Sequence, residues 1–214
     1  MIGTNKNCHN AKYNPKNNYI SCYITSCAII MKILIAIILF TSLSKSNDVD
    51  KMVLPYSIVT SKADLIIEGE IGSIFDGKYD FTVSEFIKGN DDEVISVNKW
   101  EQWMCDTRQT EYKTGQKLIL FLKKEKGQYE IINGSTGELI INDDGTILRY
   151  EYQSLPKKSI VKEGIKMLIK SIDYKGKLYS KGIYKFLVSQ SEYEKYRSEN
   201  VFYYKSTRGL KYVK

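Results

Sequence analysis

Short apolar runs separated by turn residues fill the middle of the chain. The first run, residues 65–71, is followed by Asp76-Gly77, a dipeptide that supplies the positive φ angles of a tight primed turn. Beyond this turn, Tyr79, Phe81 and Val83 alternate with polar residues, so all three share one face of a strand. The pattern predicts a β-hairpin.

Further runs of the same kind continue along the chain. They cover residues 94–97, 117–122, 129–132, 139–141 and 146–148. The run at 117–122 is apolar on both faces, which is typical of a central strand. Five to seven short strands, with a glycine where the long first strand must bend, favour a closed barrel over a sandwich. We predict a mainly β fold: a small five- to six-stranded barrel of the oligonucleotide/oligosaccharide-binding (OB) type at residues 60–150, followed by a C-terminal helical extension.

Residues 151–214 form this extension, which begins with helical spacing. One apolar stripe contains Ile160, Val161, Ile165, Leu168, Ile169 and Ile172. Ser159 is the expected N-cap, and Lys162, Lys166 and Lys170 are expected on the outer face. Two interpretations stay open: the apolar stripe packs on the barrel, or the basic face makes peripheral contact with a membrane.

The end of the chain is basic and rich in tyrosine. Ten of the 17 tyrosines lie beyond residue 149, among lysines and arginines. Such residues can stack on sugars or bases, or can fill half-buried strands with their hydroxyls in water. We predict a short helix that begins at Ser189 or Ser191 and includes residues 192–197, and a half-buried strand at residues 201–204.

The start of the chain has the order of a secretory signal peptide. Met31-Lys32 precedes the eight apolar residues 33–40, and small residues follow up to Ser46. Eight residues are fewer than the roughly 20 that span a bilayer as a helix. We therefore predict a signal peptide at 31–46 and a secreted or periplasmic product, with an uncleaved apolar anchor as the alternative. Residues 1–30 lack periodicity and are predicted to be a disordered or mis-annotated leader.

Charge is distributed unevenly along the chain. Residues 1–46 carry five lysines and no acid, residues 47–150 carry 12 basic and 19 acidic side chains, and residues 151–214 carry 15 and 6. The strand-rich segment is therefore acidic and would repel phosphates, which excludes nucleic acid as the expected partner.

Few residue types that carry chemistry remain after the signal segment. His9 is the single histidine, and Cys105 is the one cysteine beyond residue 27. Glu68 and Glu70 are explained by exposed positions on a strand, and the glycine-rich residues 133–137 lack the lysine of a phosphate loop. We predict no enzymatic activity, with no catalytic residue, no metal ligand and no cofactor.

Several segments carry a family resemblance. These are residues 63–71, 81–83, 86–89, 94–97, Cys105 and 112–121. Together they resemble exported bacterial proteins with a barrel similar to tissue inhibitors of metalloproteinases and netrin modules. The most specific parts are Lys88-Gly89 and the Tyr-x-x-Gly-x-x-Leu-x-Leu-Phe entry to the central strand. The resemblance covers roughly residues 60–142 and implies the fold.

The zinc-chelating mechanism of those inhibitors is not carried over. It requires a cysteine at the mature N-terminus, and no cysteine lies between Cys27 and Cys105. Protease inhibition without zinc chelation stays as an alternative function.

The loop before the central strand has the most distinctive composition. Both tryptophans of the chain, Trp100 and Trp103, lie there with Arg108, and we predict these three as ligand-binding residues. One tryptophan is expected to plug the barrel end, since exposed tryptophan is costly. The predicted function is a non-enzymatic exported binding or interaction module, whose partner is an unknown extracytoplasmic protein or envelope component.

Overall fold

The computed structural model describes residues 52–148 and 156–213. Both stretches belong to one compact unit, Asp50–Lys214. The predicted leader (1–30) and signal peptide (31–46) lie outside the described residues.

Five strands close a barrel, and a sixth lies outside it. They are β1 (Leu65–Ile74), β2 (Lys78–Lys88), β3 (Val94–Asn98), β4 (Lys117–Glu125), β5 (Gln128–Ile131) and β6 (Glu138–Ile140). Around the ring, β1 pairs with β2, β2 with β3, β3 with β5, β5 with β4, and β4 with β1. The β3–β5 pairing is parallel and the others are antiparallel, while β6 pairs with β4 outside the ring. The prediction of a small OB-like barrel is confirmed.

The β1–β2 and β4–β5 turns of the barrel differ from each other. Gly77 has a φ of +71°, but Asp76 does not have a positive φ, so the primed turn predicted there is wrong. The two-residue primed turn lies between β4 and β5, where Lys126 and Gly127 have φ angles of +50° and +84°.

Neighbouring residues of β1 and β4 belong to two different hydrophobic cores. The barrel interior contains Leu65, Ile67, Ile71, Tyr79, Phe81, Ile95, Val97, Leu118, Leu120, Leu122, Tyr129 and Ile131. On the outside, Ile66 and Phe121 join the helices in a second cluster, which we call the outer core. Burial on both sides explains the continuous apolar run of β4 and confirms it as the central strand.

Helices and a small hairpin cover the outer core. They are α1 (Tyr56–Lys62), α2 (Lys158–Ser171), β7 (Ile172–Lys175), β8 (Ile183–Phe186), α3 (Gln190–Glu199) and α4 (Val201–Ser206). Val161, Ile165 and Leu168 of α2 are buried in the same cluster as Ile66 and Phe121. The interpretation in which the apolar stripe packs on the barrel is therefore confirmed.

Two local predictions for the C-terminal part are wrong. The helix α2 begins at Lys158, so Ser159 is not its N-cap. Residues 201–204 lie in α4 instead of a strand, and the Tyr203 hydroxyl bonds to Ser171 Oγ at 2.7 Å in a buried position. The helix predicted from Ser189 is confirmed, because α3 begins at Gln190 and Ser189 is its N-cap.

Glu68 is buried, against the expectation of an exposed strand position. The register of β1 against β2 shifts between Glu68 and Gly69, and such a bulge re-aims side chains. Lys158 Nζ donates to Glu68 Oε1 at 2.6 Å, and Lys162 pairs with the other oxygen. Burial opposes ionisation of Glu68, but the hydrogen bonds from the two lysines outweigh burial and lower its pKa.

The lysines of α2 therefore do not all face solvent. Lys162 also pairs with Glu85 of β2, and Lys166 Nζ donates to Glu85 Oε1 at 2.8 Å. The predicted outer face is wrong for Lys162, which is partly buried between Glu68 and Glu85, whereas Lys166 and Lys170 are exposed as predicted. Membrane contact through Lys162, Lys166 and Lys170 stays a prediction.

Lys88-Gly89 is one of the two most specific parts of the resemblance, and it contacts α1 and the residues that follow it. The Lys88 ammonium donates to the carbonyl oxygens of Thr60, Ser61 and Ala63 at 2.9, 3.1 and 2.6 Å. These carbonyls end α1, where a cation is favourable. Burial lowers the pKa of Lys88. Gly89 has a φ of +75°, and a Cβ there would lie 2.6 Å from the Asp64 carbonyl oxygen, so only glycine fits.

Candidate functional site

The tryptophan loop lies in the connection between β3 and β4. Within this loop the Trp103 amide donates to the Asp106 carbonyl at 3.1 Å, and the Asp106 amide donates to the Trp103 carbonyl at 2.8 Å. This tight turn leaves Met104 at its tip, 92% exposed. The turn also holds the Trp103 ring partly in solvent, at 41% exposure.

Trp100 closes the end of the barrel. Its ring is partly buried against the barrel interior, and its indole N–H donates to Glu138 Oε2 at 3.1 Å. One tryptophan therefore plugs the barrel end, as expected, while the other stays accessible.

Arg108 is buried beside the same glutamate. Its side chain is only 2% exposed, and its Nε donates to Glu138 Oε2 at 2.7 Å. Its two terminal nitrogens donate to the Thr110 carbonyl oxygen at 2.5 Å and to Gln116 Oε1 at 2.6 Å. The guanidinium carbon lies 3.8 Å from the centre of the Tyr112 ring. With its donors committed inside the protein, Arg108 is placed to hold the barrel end together.

Two tyrosines of this closed end are held neutral. Burial, and then the negative charge of Glu138, raise the pKa of Tyr79 and the pKa of Tyr112. Desolvation disfavours the phenolate, and the nearby carboxylate repels it. Both phenols therefore stay protonated to higher pH than an ordinary tyrosine, beside the hydrogen-bond network of Arg108 and Glu138.

A pocket of about 270 Å³, which we call the tryptophan pocket, opens beside this network. Its walls come from four separate segments of the chain. They are Met52, Trp100, Glu101, Trp103, Asp106, Ile131, Asn133, Gly134 and Tyr179. The structure thus brings Trp100 and Trp103 together in one pocket, and Arg108 is not among its lining residues.

Asn133 connects the walls of the pocket. Its side-chain oxygen accepts from the Leu54 amide at 3.2 Å, and its Nδ2 donates to the Met52 carbonyl oxygen at 3.1 Å and to the Tyr179 hydroxyl at 3.5 Å. Asn133 and Gly134 both adopt positive φ, at 56° and 55°, a conformation that asparagine and glycine tolerate best.

Sequence reasoning missed Met52, Asn133 and Tyr179 as pocket residues. The Asn133-Gly134 pair indicates an unusual backbone, but a glycine-rich segment without the lysine of a phosphate loop does not by itself indicate a pocket. Met52 and Tyr179 carried no local signal, because long-range packing alone brings them beside Trp103.

Comparison with known proteins assigns no family. No protein family, curated protein or solved structure matches this chain. The resemblance to metalloproteinase-inhibitor barrels therefore stays a prediction. Within the described residues there is no group of three His, Cys, Asp or Glu side chains placed to hold a metal ion, and no helix long and apolar enough to cross a membrane.

Proposed function

We propose that this protein is a non-enzymatic binding module and that its ligand occupies the tryptophan pocket. The observation that carries the proposal is the exposure of two aromatic rings that line one cavity. Trp103 is 41% and Tyr179 is 58% exposed, although large rings are stabilised by burial. A ligand that enters between them would bury apolar surface that the protein alone leaves in water.

The surroundings of the pocket favour a rigid recognition site. The hydrogen bonds of Asn133 fix two walls, and Ser135 Oγ donates to Asp106 Oδ1 at 2.5 Å beneath them. A preformed pocket loses less conformational entropy when it binds a ligand. Its size suits one sugar ring or one large side chain of a partner.

The charges of the pocket restrict the ligand further. Glu101 and Asp106 line the cavity without a lysine or arginine among the lining residues. Carboxylates accept hydrogen bonds from hydroxyl or ammonium groups and repel phosphates. We therefore infer a neutral or cationic ligand, displayed by an extracytoplasmic protein or envelope component.

Export of the protein is part of the same proposal. It is supported by the apolar run at residues 33–40 with Lys32 before it and small residues after it. N-terminal sequencing of the protein recovered from culture medium or periplasm should give a first residue near 44–47. Intact protein in the cytosol alone would contradict export.

Tryptophan fluorescence tests the pocket directly, because both tryptophans of the chain line it. Purified protein is titrated with neutral sugars, amino sugars and aromatic amino-acid amides, and emission is recorded. A ligand of the pocket should shift or quench emission. Trp103→Ala should weaken its affinity at least about tenfold, since aromatic anchors carry much of the binding energy.

Met104→Ala is the matched control for Trp103→Ala. Met104 follows Trp103 in the same turn and is more exposed, but it does not line the pocket. Calorimetry should give the wild-type affinity for Met104→Ala. Equal affinities of Trp103→Ala and wild type, for every ligand that binds, would refute the pocket as the site. A complementary pull-down from envelope extract should lose its partner with Trp103→Ala only.

A further inference from the structure

A second concave surface lies between β8 and the end of the chain. This groove has a volume of about 710 Å³. One wall is formed by residues 183–186, which are the whole of β8, and the other by residues 209–213. Successive side chains of a strand point to opposite faces. A groove that touches all four residues of β8 therefore lies along the edge of the strand and not over one face.

The edge of β8 is the open edge of its sheet. Within residues 52–148 and 156–213, β8 pairs only with β7. The far edge of β7 is covered by α1, where the Tyr174 amide donates to Ser61 Oγ at 2.8 Å. Four residues of strand give roughly 13 Å of edge. Backbone groups on such an edge are a template for a further strand.

The opposite wall of the groove is fixed by aromatic contacts. The Tyr212 ring lies 4.7 Å from the Phe186 ring, and its hydroxyl donates to the Val188 carbonyl oxygen at 2.8 Å. The Tyr193 hydroxyl donates to the Leu210 carbonyl oxygen at 3.5 Å. These contacts hold residues 209–213 beside β8, so the groove exists before anything binds.

The groove is apolar with a basic rim. Ile183 and Val213 line it and are 71% and 70% exposed. Lys185 and Lys211 line it as well, and neither forms an ion pair within the described part of the chain, whereas Lys175 pairs with Asp173 at 2.5 Å. No acidic side chain is among the described lining residues. Lys185 lies across from Asp173 of β7, which pairs with Lys175, so the rim of the groove keeps a net positive charge beside exposed apolar surface.

We propose that the groove binds an extended segment of a partner protein in which acidic and apolar residues alternate, and that this segment adds to β8 as a third strand. Backbone hydrogen bonds to β8 would supply affinity. Ile183 and Lys185 share one face of β8, and Tyr184 and Phe186 share the other. The acidic side chains of the added strand would therefore lie on the face of Lys185, and the apolar ones would pack beside Tyr184 and Phe186. The tryptophan pocket plays no part in this interaction.

The same charges disfavour the other occupants. Two copies of the chain paired edge to edge through β8 would bring four lysines together, and like charges opposite each other destabilise strand pairing. A bilayer would leave the backbone groups of the β8 edge without hydrogen-bond partners. A strand with acidic side chains pairs with the lysines of the groove and also forms hydrogen bonds with the backbone of β8.

Fluorescence anisotropy with three labelled eight-residue peptides tests the proposal on the purified full chain. The first alternates glutamate with valine, the second alternates lysine with valine, and the third is the first with all of its backbone amides N-methylated. Only the first should bind, because the second is repelled and the third cannot donate to β8. Its affinity should fall about tenfold as ionic strength rises from about 50 to 500 mM, owing to charge screening.

The double variant Lys185→Glu, Lys211→Glu should weaken binding of the first peptide by at least about tenfold. The double variant Lys113→Glu, Lys195→Glu is the matched control, since it changes two exposed lysines outside the groove and gives the same net charge. The proposal would be overturned if the N-methylated peptide bound as tightly as the first peptide, or if both double variants bound the first peptide with equal affinity. So would failure of the first peptide to bind while the groove lysines drive self-association or binding to phosphatidylserine vesicles.

Discussion

The barrel interior and the outer core use the same strands but are assembled differently. The interior collects side chains from residues 65 to 131 and is closed at one end by the Arg108–Glu138 ion pair. The outer core joins the two ends of the described chain, because the Phe202 ring of α4 lies 4.9 Å from the Tyr56 ring of α1. The interior thus depends on neighbouring strands, and the outer core depends on contacts between distant segments.

The largest expected effects on stability come from substitutions at two adjacent residues of β4, one in each core. Phe121→Ala empties a fully buried position of the outer core, and Leu120→Ala, its matched partner, does the same in the interior. Phe121→Ala should lower the free energy of unfolding by about 3 to 5 kcal/mol, and Leu120→Ala by about 2 to 5 kcal/mol. Urea unfolding followed by circular dichroism and tryptophan fluorescence measures both.

If the outer core unites helices and barrel in one cooperative unit, the two signals should change together in wild type and in both variants. Loss of the helical signal at a lower urea concentration than the fluorescence change, in wild type or in Phe121→Ala, would show that the helical part unfolds separately.

The next effect concerns the closed end of the barrel interior. Arg108→Met removes the partner of a buried carboxylate and should lower the free energy of unfolding by about 3 kcal/mol, because Glu138 is left charged in a poorly hydrated site. Arg108→Met combined with Glu138→Met should cost less than the single change, since no unpaired charge remains. Chemical denaturation of wild type, the two single variants and the double variant gives the coupling energy between Arg108 and Glu138. A double variant less stable than Arg108→Met alone would contradict this prediction.

The smallest expected effect is on how the free energy of unfolding depends on pH, through a tyrosine of the outer core. Burial raises the pKa of Tyr203 to about 12, whereas a tyrosine in the unfolded chain titrates near 10. The contribution of neutral Tyr203 to the free energy of unfolding is fully present below pH 10. It is lost as pH rises towards 12, by at most about 1.4 kcal/mol per pH unit. Tyr203→Phe should therefore flatten the loss of stability between pH 10 and 11.5, measured by urea unfolding.

Tyr179→Phe is the control for this titration, because Tyr179 is exposed and lies in the tryptophan pocket. It should leave the alkaline slope at the wild-type value. An unchanged slope in Tyr203→Phe would mean that Tyr203 does not contribute to the pH dependence.

Strand alternation predicted the barrel well, because the period of a half-buried strand is a local property. Residues 117–122 were recognised as central because every residue after Lys117 is apolar. The sequence does not predict the helix α1, since seven residues are too few for a clear helical pattern. This helix is stabilised by the burial of Tyr56 and Val59 in the outer core and by Lys88, which lies on β2 and binds its last carbonyls.

The candidate site was predictable only in part, for a related reason. Trp100 and Trp103 were identified from residue type within one loop. The burial of Arg108 depends on Glu138, and the pocket depends on Asn133 and Tyr179, which tertiary packing brings together. Charge pattern alone also placed Lys162 on the wrong side of α2, because its partners Glu68 and Glu85 are on β1 and β2.

The contact between Tyr56 and Phe202 has a consequence for how the polypeptide is made. During synthesis α1 emerges before the barrel strands, but the Phe202 ring that packs on it is added only after them. Until then the outer core is incomplete even where α2 already covers Ile66 and Phe121, and incompletely covered apolar surface is prone to aggregation. A nascent chain that stalls before α4 would therefore depend on chaperones, and slow maturation is the expected cost of joining α1 to α4.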